Sequence, residues 1–401
     1  MKFGFRRAGA IQDPENKQGL ANLTAGTMNE GAGDLKAEAF KAKLENNSIK
    51  LGFSSGRDHF TGRLKTLSRN RDKAFELLQL ALNKPRFDRQ AVNRIRRANI
   101  ARIKSSRTSP QWQAARLRYD FIYGDHPYGR NSGGSLSSLH NITAEDMHKL
   151  VDRRLAKDNL VIGVSGAITP EELEKMLNTL FAKLPEKAEI GRIGATQIRN
   201  QGKLALYERD IPQSIVSISQ PGIARQDADY YTALVMNQIF GAGGFGSRLM
   251  KQARQKRGLT YGIYAGLNSR LHAHSLTINT ATANRHAGPL IELVREQMRK
   301  MRQDKVTEDE LQNAKFYLIG SLPLNFDSTD SIAGTLMSLQ LKQLPIDELL
   351  KRQTAIAKVS REDVHKMAKR LLAPETLATA IVGQPEGVEI DTTYQQLPNV
   401  E

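Results

Sequence analysis

The chain contains no cysteine. Disulfides, a thiol nucleophile and a thiolate-ligated metal are therefore excluded, while the compartment stays open, because a cysteine-free chain suits cytosol and periplasm alike. No apolar run approaches the ~18 residues of a transmembrane helix. Met1-Lys-Phe-Gly-Phe-Arg-Arg7 has no apolar h-region and does not read as a signal peptide. It reads as a strand already in progress, which leaves either a cytosolic protein or a chain lacking its true beginning. Aromatic residues are sparse, at 6%, and do not interleave the basic ones, so no stacking platform for single-stranded nucleic acid is evident. The glycines at 241, 243, 244 and 246 are not followed by Gly-Lys-Ser/Thr, which removes the phosphate-loop reading.

What is present is a basic globular sequence. Its 401 residues correspond to two or three domains, and 39% hydrophobic content is enough for a sizeable core. The net charge of +17 favours acidic partners, nucleic acid being the obvious one. The basic residues are spread along the length, however, and many belong to helical faces, such as Arg94, Arg96, Arg97, Arg102 and Lys104. Nucleic-acid binding is therefore not the expected main function.

The chain repeats itself. Ile142-Thr-Ala-Glu-Asp-Met-His-Lys-Leu-Val-Asp-Arg-Arg-Leu-Ala-Lys-Asp-Asn-Leu160 is matched, at a constant offset, by Val359-Ser-Arg-Glu-Asp-Val-His-Lys-Met-Ala-Lys-Arg-Leu-Leu-Ala-Pro-Glu-Thr-Leu377. The spacing exceeds that of solenoid repeats, so it indicates two homologous domains. Each copy begins with an N-cap residue, Thr143 or Ser360, and has Asp146 or Asp363 three positions on, in a capping-box arrangement. An amphipathic helix and a β-branched run follow, over Leu160–Val164 and Leu377–Val382. Further helices are predicted over Asp72–Asn83, Asp88–Ser106, Pro110–Tyr123, Pro170–Leu184, Ala224–Phe240, Ala287–Asp304, Glu308–Leu318, Ser331–Leu341 and Ile346–Ala355. Strands are predicted over Gln213–Gln220 and Leu276–Ala283. The domains run over 1–184 and 204–385, with a polar, glycine-containing linker at 185–203 and an irregular tail over 386–401.

The segment Phe240-Gly-Ala-Gly-Gly-Phe-Gly-Ser-Arg-Leu-Met-Lys-Gln-Ala-Arg-Gln-Lys-Arg-Gly-Leu-Thr-Tyr-Gly-Ile-Tyr264 resembles the C-terminal signature of the M16 metallopeptidase family, which includes pitrilysin, insulysin and mitochondrial processing peptidase. Asp13-Pro-Glu-Asn-Lys-Gln-Gly-Leu-Ala21, Asn83-Lys-Pro-Arg-Phe-Asp88, Tyr123-Gly-Asp-His-Pro-Tyr-Gly-Arg130 and the two repeat copies are also similar to M16 sequences, so the resemblance runs from about Phe3 to Gly383. It implies an α+β fold of two homologous domains, each a mostly antiparallel sheet with helices packed against it. Members usually carry more chain before this point, which favours a missing beginning.

In the family, an Arg and a Tyr at the positions of Arg254 and Tyr261 reach toward bound substrate. Fixed guanidinium donors and a phenolic hydroxyl suit a substrate carbonyl or its developing oxyanion. The alternative for this pair is a structural ion pair with a tyrosine at the core's edge. Gly241, Gly243, Gly244 and Gly246 would allow close backbone approach or a mobile loop, or form an ordinary turn.

The departure from the family lies near the N-terminus. An active member carries His-x-x-Glu-His after Gly-Leu-Ala, two zinc ligands and a general base on one helical face. Here those positions hold Asn22, Ala25 and Gly26, and the later acidic ligand would fall near Ala101, Arg102 or Ile103, none of them acidic. His272 and His274 would share a face if they lie on a strand. His148 and His365 read as packing or surface residues on the repeated helices, and His126 as a loop-ordering residue. The resemblance thus implies a chain without its own zinc or peptidase activity. It would pair with an active M16 subunit carrying the zinc and the His-x-x-Glu-His motif, and supply Arg254 and Tyr261 to a bound peptide. A scaffolding homologue without a peptidase role is the alternative. Two-chain bacterial members are often exported, so the periplasm is expected, with the absent signal peptide as the objection.

Overall fold

The computed structural model describes residues 1–401. The first domain contains β1 (Lys2–Phe5), α1 (Leu20–Thr27), a small hairpin of β2 (Gly31–Ala32) and β3 (Leu35–Lys36), α2 (Ala37–Asn46), β4 (Lys50–Ser55), β5 (Phe60–Lys65), α3 (Arg71–Asn83), α4 (Arg89–Ser106), α5 (Pro110–Tyr123), α6 (Leu136–His140), α7 (Ala144–Arg154), β6 (Leu160–Gly163) and α8 (Pro170–Leu180). The second contains β7 (Leu204–Glu208), β8 (Gln213–Pro221), α9 (Tyr230–Asn237), the short α10 (Arg248–Met250), β9 (Thr260–Ser269), β10 (His274–Ala283), α11 (Ala287–Gln303), α12 (Glu308–Gly320), α13 (Thr329–Leu341), α14 (Glu348–Lys358), α15 (Arg361–Leu371) and β11 (Ala378–Gly383), and the two-residue β12 (Thr392–Thr393) closes the list. No regular element occupies residues 185–203.

The first sheet has strand order β4-β5-β1-β6 and is antiparallel throughout. The second has order β12-β7-β11-β8-β10-β9, with β7 parallel to both β11 and β12 and the remaining pairs antiparallel. The α+β class and two-domain architecture are as the resemblance implies. Both repeat copies fold alike. Thr143 and Asp146 form a reciprocal capping box at the start of α7, and Ser360 and Asp363 form one at α15. Each helix then leads to the strand, β6 or β11, that pairs antiparallel with β1 or β8.

Two hydrophobic cores follow the domains, one centred on Phe3, Phe5, Phe40, Leu77 and Met147, the other on Phe240, Ile278, Val294 and Val364. A sheet covered by its own helices on one face still exposes apolar residues on the other, which must be buried somewhere. The domains solve this by exchanging a helix: α5 packs on β7, β8 and β11 of the second domain, and α13 packs on β1 and β6 of the first. Leu117, Phe121 and Ile122 on α5 form a third core with Ala205, Ile215, Ala378, Ala380 and Val382. At α13 the approach is closer to the backbone. A Cβ on Gly163 would lie 2.2 Å from the Ala333 carbonyl oxygen and 2.8 Å from the Met337 nitrogen.

Several boundaries differ from the sequence reading. The predicted helix over Ala224–Phe240 begins only at Tyr230, because Asp227 accepts from the Asp229 amide and holds the preceding residues in turns. The helix from Pro170 stops at Leu180 rather than Leu184, in a turn closed by Leu184 N–H to the Phe181 carbonyl just before Pro185. The helix expected from Ile346 starts at Glu348, after a turn at Pro345. The β4–β5 hairpin and β9 carry mixed polar and apolar residues, and the sequence reading assigned neither. The tail is not simply irregular. Thr392–Thr393 add to β7, the Tyr394 hydroxyl donates to Asp120 at 3.1 Å, and Val400 is buried in the first domain's core.

The tight approach at Gly163 gives a direct test. Gly163→Ala is expected to destabilise the protein by ~1–3 kcal/mol through overpacking against α13, read as a lower denaturant midpoint. An unchanged midpoint would mean that α13 does not hold this close seat.

Candidate peptide-contact surface and the degenerate metal helix

The glycine-rich segment builds a surface on the second domain's edge strand. After α9 the helix widens into a π-helical turn over Gln238–Ala242, and a second such turn spans Lys251–Lys256 after α10. Turns of this kind recur at functional sites. The four glycines have different roles. A Cβ on Gly241 would come within 2.6 Å of the Ala265 Cβ, so this position lets the helix lie against β9. A Cβ on Gly243 would meet the Gln238 carbonyl at 2.6 Å. Gly244 has φ +54°, and Gly246 meets nothing and needs no special φ. Together they make an ordered turn that projects Phe245 into solvent at 58% exposure.

Arg254 comes from the second π-helical turn and Tyr261 from the start of β9. The Arg254 Nη1 donates to the Tyr261 carbonyl at 2.9 Å, and its guanidinium lies 4.7 Å from the Phe245 ring centroid. The Tyr261 side chain is 83% exposed and its hydroxyl has no hydrogen-bond partner. The structure thus brings Arg254 to the Tyr261 backbone, with no acidic partner on the guanidinium and the Tyr261 phenol free in solvent.

A β-bulge sets the direction of the aromatic side chains. β9 pairs Ile263 with Thr280 and Thr260 with Thr282, so Tyr261 and Gly262 share one opposing residue. Thr260 fixes the bulge by accepting from the Gly262 amide at 3.0 Å and donating to the Ala281 carbonyl at 2.7 Å. Residues three apart on a regular strand point to opposite faces. The bulge instead leaves Tyr261 and Tyr264 both exposed while Thr260 and Ile263 are both buried. Phe245 and Tyr264 extend the surface, and the sequence reading missed both roles. On a regular strand the offset of Tyr264 from Tyr261 would put the two on opposite faces, and the bulge that brings them to one face has no sequence mark beyond Gly262.

The outer edge of β9 is already occupied here. Beside the Arg254 bond to the Tyr261 carbonyl, the Ile263 amide donates to the Met250 sulfur at 3.4 Å and Asn237 Nδ2 donates to the Ala265 carbonyl at 3.2 Å. Three outward groups along this stretch are therefore bonded to the domain's own helices.

In the first domain, α1 is preceded by Gly19 as its N-cap, at φ +89°. Asp13 is buried, accepts from the Ala21 amide, and pairs with Arg154 at 3.0 Å. Burial pushes its carboxyl up to about 6 despite Arg154. Asn22 is half-buried, Ala25 buried and Gly26 exposed. The Asn22 Oδ1 accepts from Arg102 Nη2 at 3.3 Å, and the same Nη2 donates to Asn99 Oδ1 at 3.3 Å. Of the later positions, Ala101 is exposed and Ile103 buried.

The family's zinc does not fit these residues. Ala25 and Gly26 offer no donor atom, and the amide oxygen of Asn22 is engaged by a guanidinium whose charge would repel a dication. No hydrogen bond or ion pair links the Asn22 group to Arg254 and Tyr261; the two sets sit on separate domain cores.

The histidines are accounted for locally. His148 packs edge-on against Phe87 at 4.9 Å, and His365 Nε2 contacts the Arg302 carbonyl at 2.8 Å. His126 accepts from the Tyr128 amide through Nδ1, ordering its loop. His272 lies in the β9–β10 turn and His274 opens β10, so they do not share a strand face, which corrects that expectation. Part of the basic helix α4 is also internal. Arg96 donates to the Leu139 and Ile142 carbonyls, and Arg94 pairs with buried Glu30.

Comparison with known proteins places these features. Residues 7–134 match the domain described as Insulinase (Peptidase family M16), and residues 141–318 match the Peptidase M16 inactive domain. The chain is 26% identical to the non-peptidase homolog YmxG of Helicobacter pylori over 95% of this chain and 88% of that protein. It is 24% identical to a probable mitochondrial-processing peptidase subunit beta of Schizosaccharomyces pombe, over 95% and 86%. A crystal structure of a peptidase M16 inactive domain from Pseudomonas fluorescens superposes with a TM-score of 0.89 at 27% identity, covering 97% of this chain and 93% of that one.

Removing metal should leave the protein unchanged. A chelator is expected to shift the thermal midpoint by no more than the measurement error, and zinc titration should give no stoichiometric site at α1. A midpoint that falls on chelation and recovers with zinc would overturn this account of the helix.

Proposed function

The chain belongs to the M16 peptidase family, and we propose that within it the protein is a non-catalytic subunit that presents a peptide-contacting surface to an active partner. The partner would carry the His-x-x-Glu-His motif, the zinc and the general base. This chain would contribute Arg254 and Tyr261, framed by Phe245 and Tyr264. The observation that carries the reading is the contrast between the two domains: α1 offers no ligand set, while the second domain keeps an exposed, unbonded Tyr261 phenol on a residue whose carbonyl is held by Arg254.

The chemistry asked of the pair is hydrogen bonding to a peptide carbonyl, and to its oxyanion as water adds at the partner's zinc. Arg254 uses Nη1 on the Tyr261 carbonyl and has further donors free to turn toward a peptide. Backbone pairing of the peptide falls to the partner, because the outer edge of β9 beside the pair is occupied. Resemblance to relatives named as non-peptidase and inactive supports the lack of independent activity. An exported, periplasmic location belongs to the same proposal and is open to cell fractionation.

The test mixes this chain with a candidate active M16 subunit and follows cleavage of an unstructured peptide. Activity is expected only in the mixture. Tyr261→Phe should lower it roughly tenfold or more and Arg254→Ala by up to ~10²–10³, the range for loss of an oxyanion donor. The thermal midpoint of Tyr261→Phe should not move, given the side chain's exposure. A stable complex whose rate is indifferent to both substitutions would replace the proposal with a scaffold.

A further inference from the structure

Where the β9–β10 turn of the second domain meets the first, four arginines gather around one tyrosine. Arg57 and Arg118 lie 4.1 and 4.4 Å from the Tyr119 ring centroid. Arg270, from the β9–β10 turn, lies 5.6 Å from it and donates through Nη2 to the Tyr119 hydroxyl at 2.9 Å. The fourth, Arg116, is buried and donates to the Gly129 and Arg130 carbonyls.

The acidic groups nearby do not balance this charge. Asp58, on the β4–β5 turn, accepts from the Tyr128 hydroxyl and the Leu271 amide. Asp120 accepts from Tyr394 and Asn399 of the tail. The Arg118 Nε is buried without a hydrogen-bond partner. The other titratable groups here are Tyr123, stacked on Tyr119 at 6.1 Å, Tyr128, and His126 and His272, both of which pack on Tyr128 and are held below the usual imidazole range by burial.

We infer that Tyr119 is the ionisable counterion of Arg57, Arg118 and Arg270, and that the junction between the two domains is a latch that tightens when its phenol gives up a proton to solvent. Two of the three arginines are on the same domain as Tyr119, and the one that bonds its hydroxyl is on the other. Ionisation therefore strengthens a contact between domains. Burial alone would raise the phenol's pKa, but the guanidinium charges of Arg270, Arg118 and Arg57 outweigh it and bring Tyr119 down to about 7. Tyr123 and Tyr128, which share the neighbourhood without that encirclement, are both shifted upward by burial.

The sign follows from linkage. A group whose folded pKa lies below its unfolded value adds stability above the unfolded pKa, and loses it as pH falls through the folded one. The latch contribution is therefore absent in mild acid and grows from about pH 7 upward.

Near-ultraviolet phenolate absorbance provides the test. Of the 10 tyrosines, one is expected to ionise near neutrality in the folded protein, and Tyr119→Phe should remove that step. Arg270→Gln keeps the phenol and should raise its midpoint. The thermal midpoints of wild type and Tyr119→Phe should also diverge between about pH 6 and pH 9, with wild type gaining. No phenolate below the ordinary tyrosine range would overturn the inference. So would a neutral step that survives Tyr119→Phe, or one that leaves the gap between the midpoints constant. Should Tyr119→Phe fail to fold, the Arg270→Gln shift alone decides, and an unmoved midpoint sinks the latch.

Discussion

Everything else in this structure depends on the exchange of α5 and α13. Each domain's sheet has its own helices on one face and would otherwise present its second face to water. Covering that face with the other domain's helix makes the two halves mutually dependent. The two seats use different means. α5 supplies bulk, burying Leu117, Phe121 and Ile122 against a sheet face kept shallow by Ala205, Ala378 and Ala380. α13 seats on backbone, with Gly163 beneath Ala333 and Gly4 beneath Leu341. The tail adds to the closure by joining β7 and then entering the first domain's core at Val400. Because α5 must lie on the second sheet, Arg118 and Tyr119 are carried to the β9–β10 turn, and the charge cluster at the junction follows from the packing.

The persistence of α1 without a metal-ligand set has a similar explanation. Leu20, Ala21, Leu23 and Ala25 are buried, Thr24 and Thr27 bond back to the carbonyls four residues earlier, and Asp13 receives the Ala21 amide. These contacts hold the helix without involving the side chain at position 22 and with none at position 26. The Arg102 guanidinium between Asn22 and Asn99 joins α1 to α4 through hydrogen bonds of ordinary strength. Of the three motif positions only Ala25 belongs to the core, and there a small apolar side chain packs without a polar group.

Much of this was legible in the residues. The repeated Thr/Ser-x-x-Asp boxes located α7 and α15 correctly, since a cap is a local interaction between residues three apart. Long amphipathic helices such as α3, α4 and α11 fell within a residue of their predicted ends. Some failures turn on contacts between distant segments: the bulge in β9 depends on Thr260 meeting Ala281, and the Tyr119 cluster draws on residues from 57 to 270. Others were local: β5 alternates Phe60, Gly62 and Leu64 with Thr61, Arg63 and Lys65, and the helix starts at Tyr230 and Glu348 are set by nearby turns. Arg254 and Tyr261 were found through their family resemblance. Their geometry, a carbonyl contact with a free phenol, was visible only once folded.

That geometry constrains how any peptide could be engaged. An edge strand normally recruits an extended chain through its outward amides and carbonyls. Beside Tyr261 those groups already bond to Arg254, Met250 and Asn237, so adding a strand there would require breaking contacts that tie β9 to its own helices. Displacing those donors would exchange existing hydrogen bonds for new ones, whereas turning the exposed Tyr261 phenol toward a ligand breaks none. On the proposed reading, this domain therefore contributes through side chains alone. Register along the peptide would be set elsewhere, and the guanidinium and phenol would act on whichever carbonyl the partner brings within reach. Such a division would allow a chain without the His-x-x-Glu-His motif to serve one chemical role without dictating the sequence cleaved.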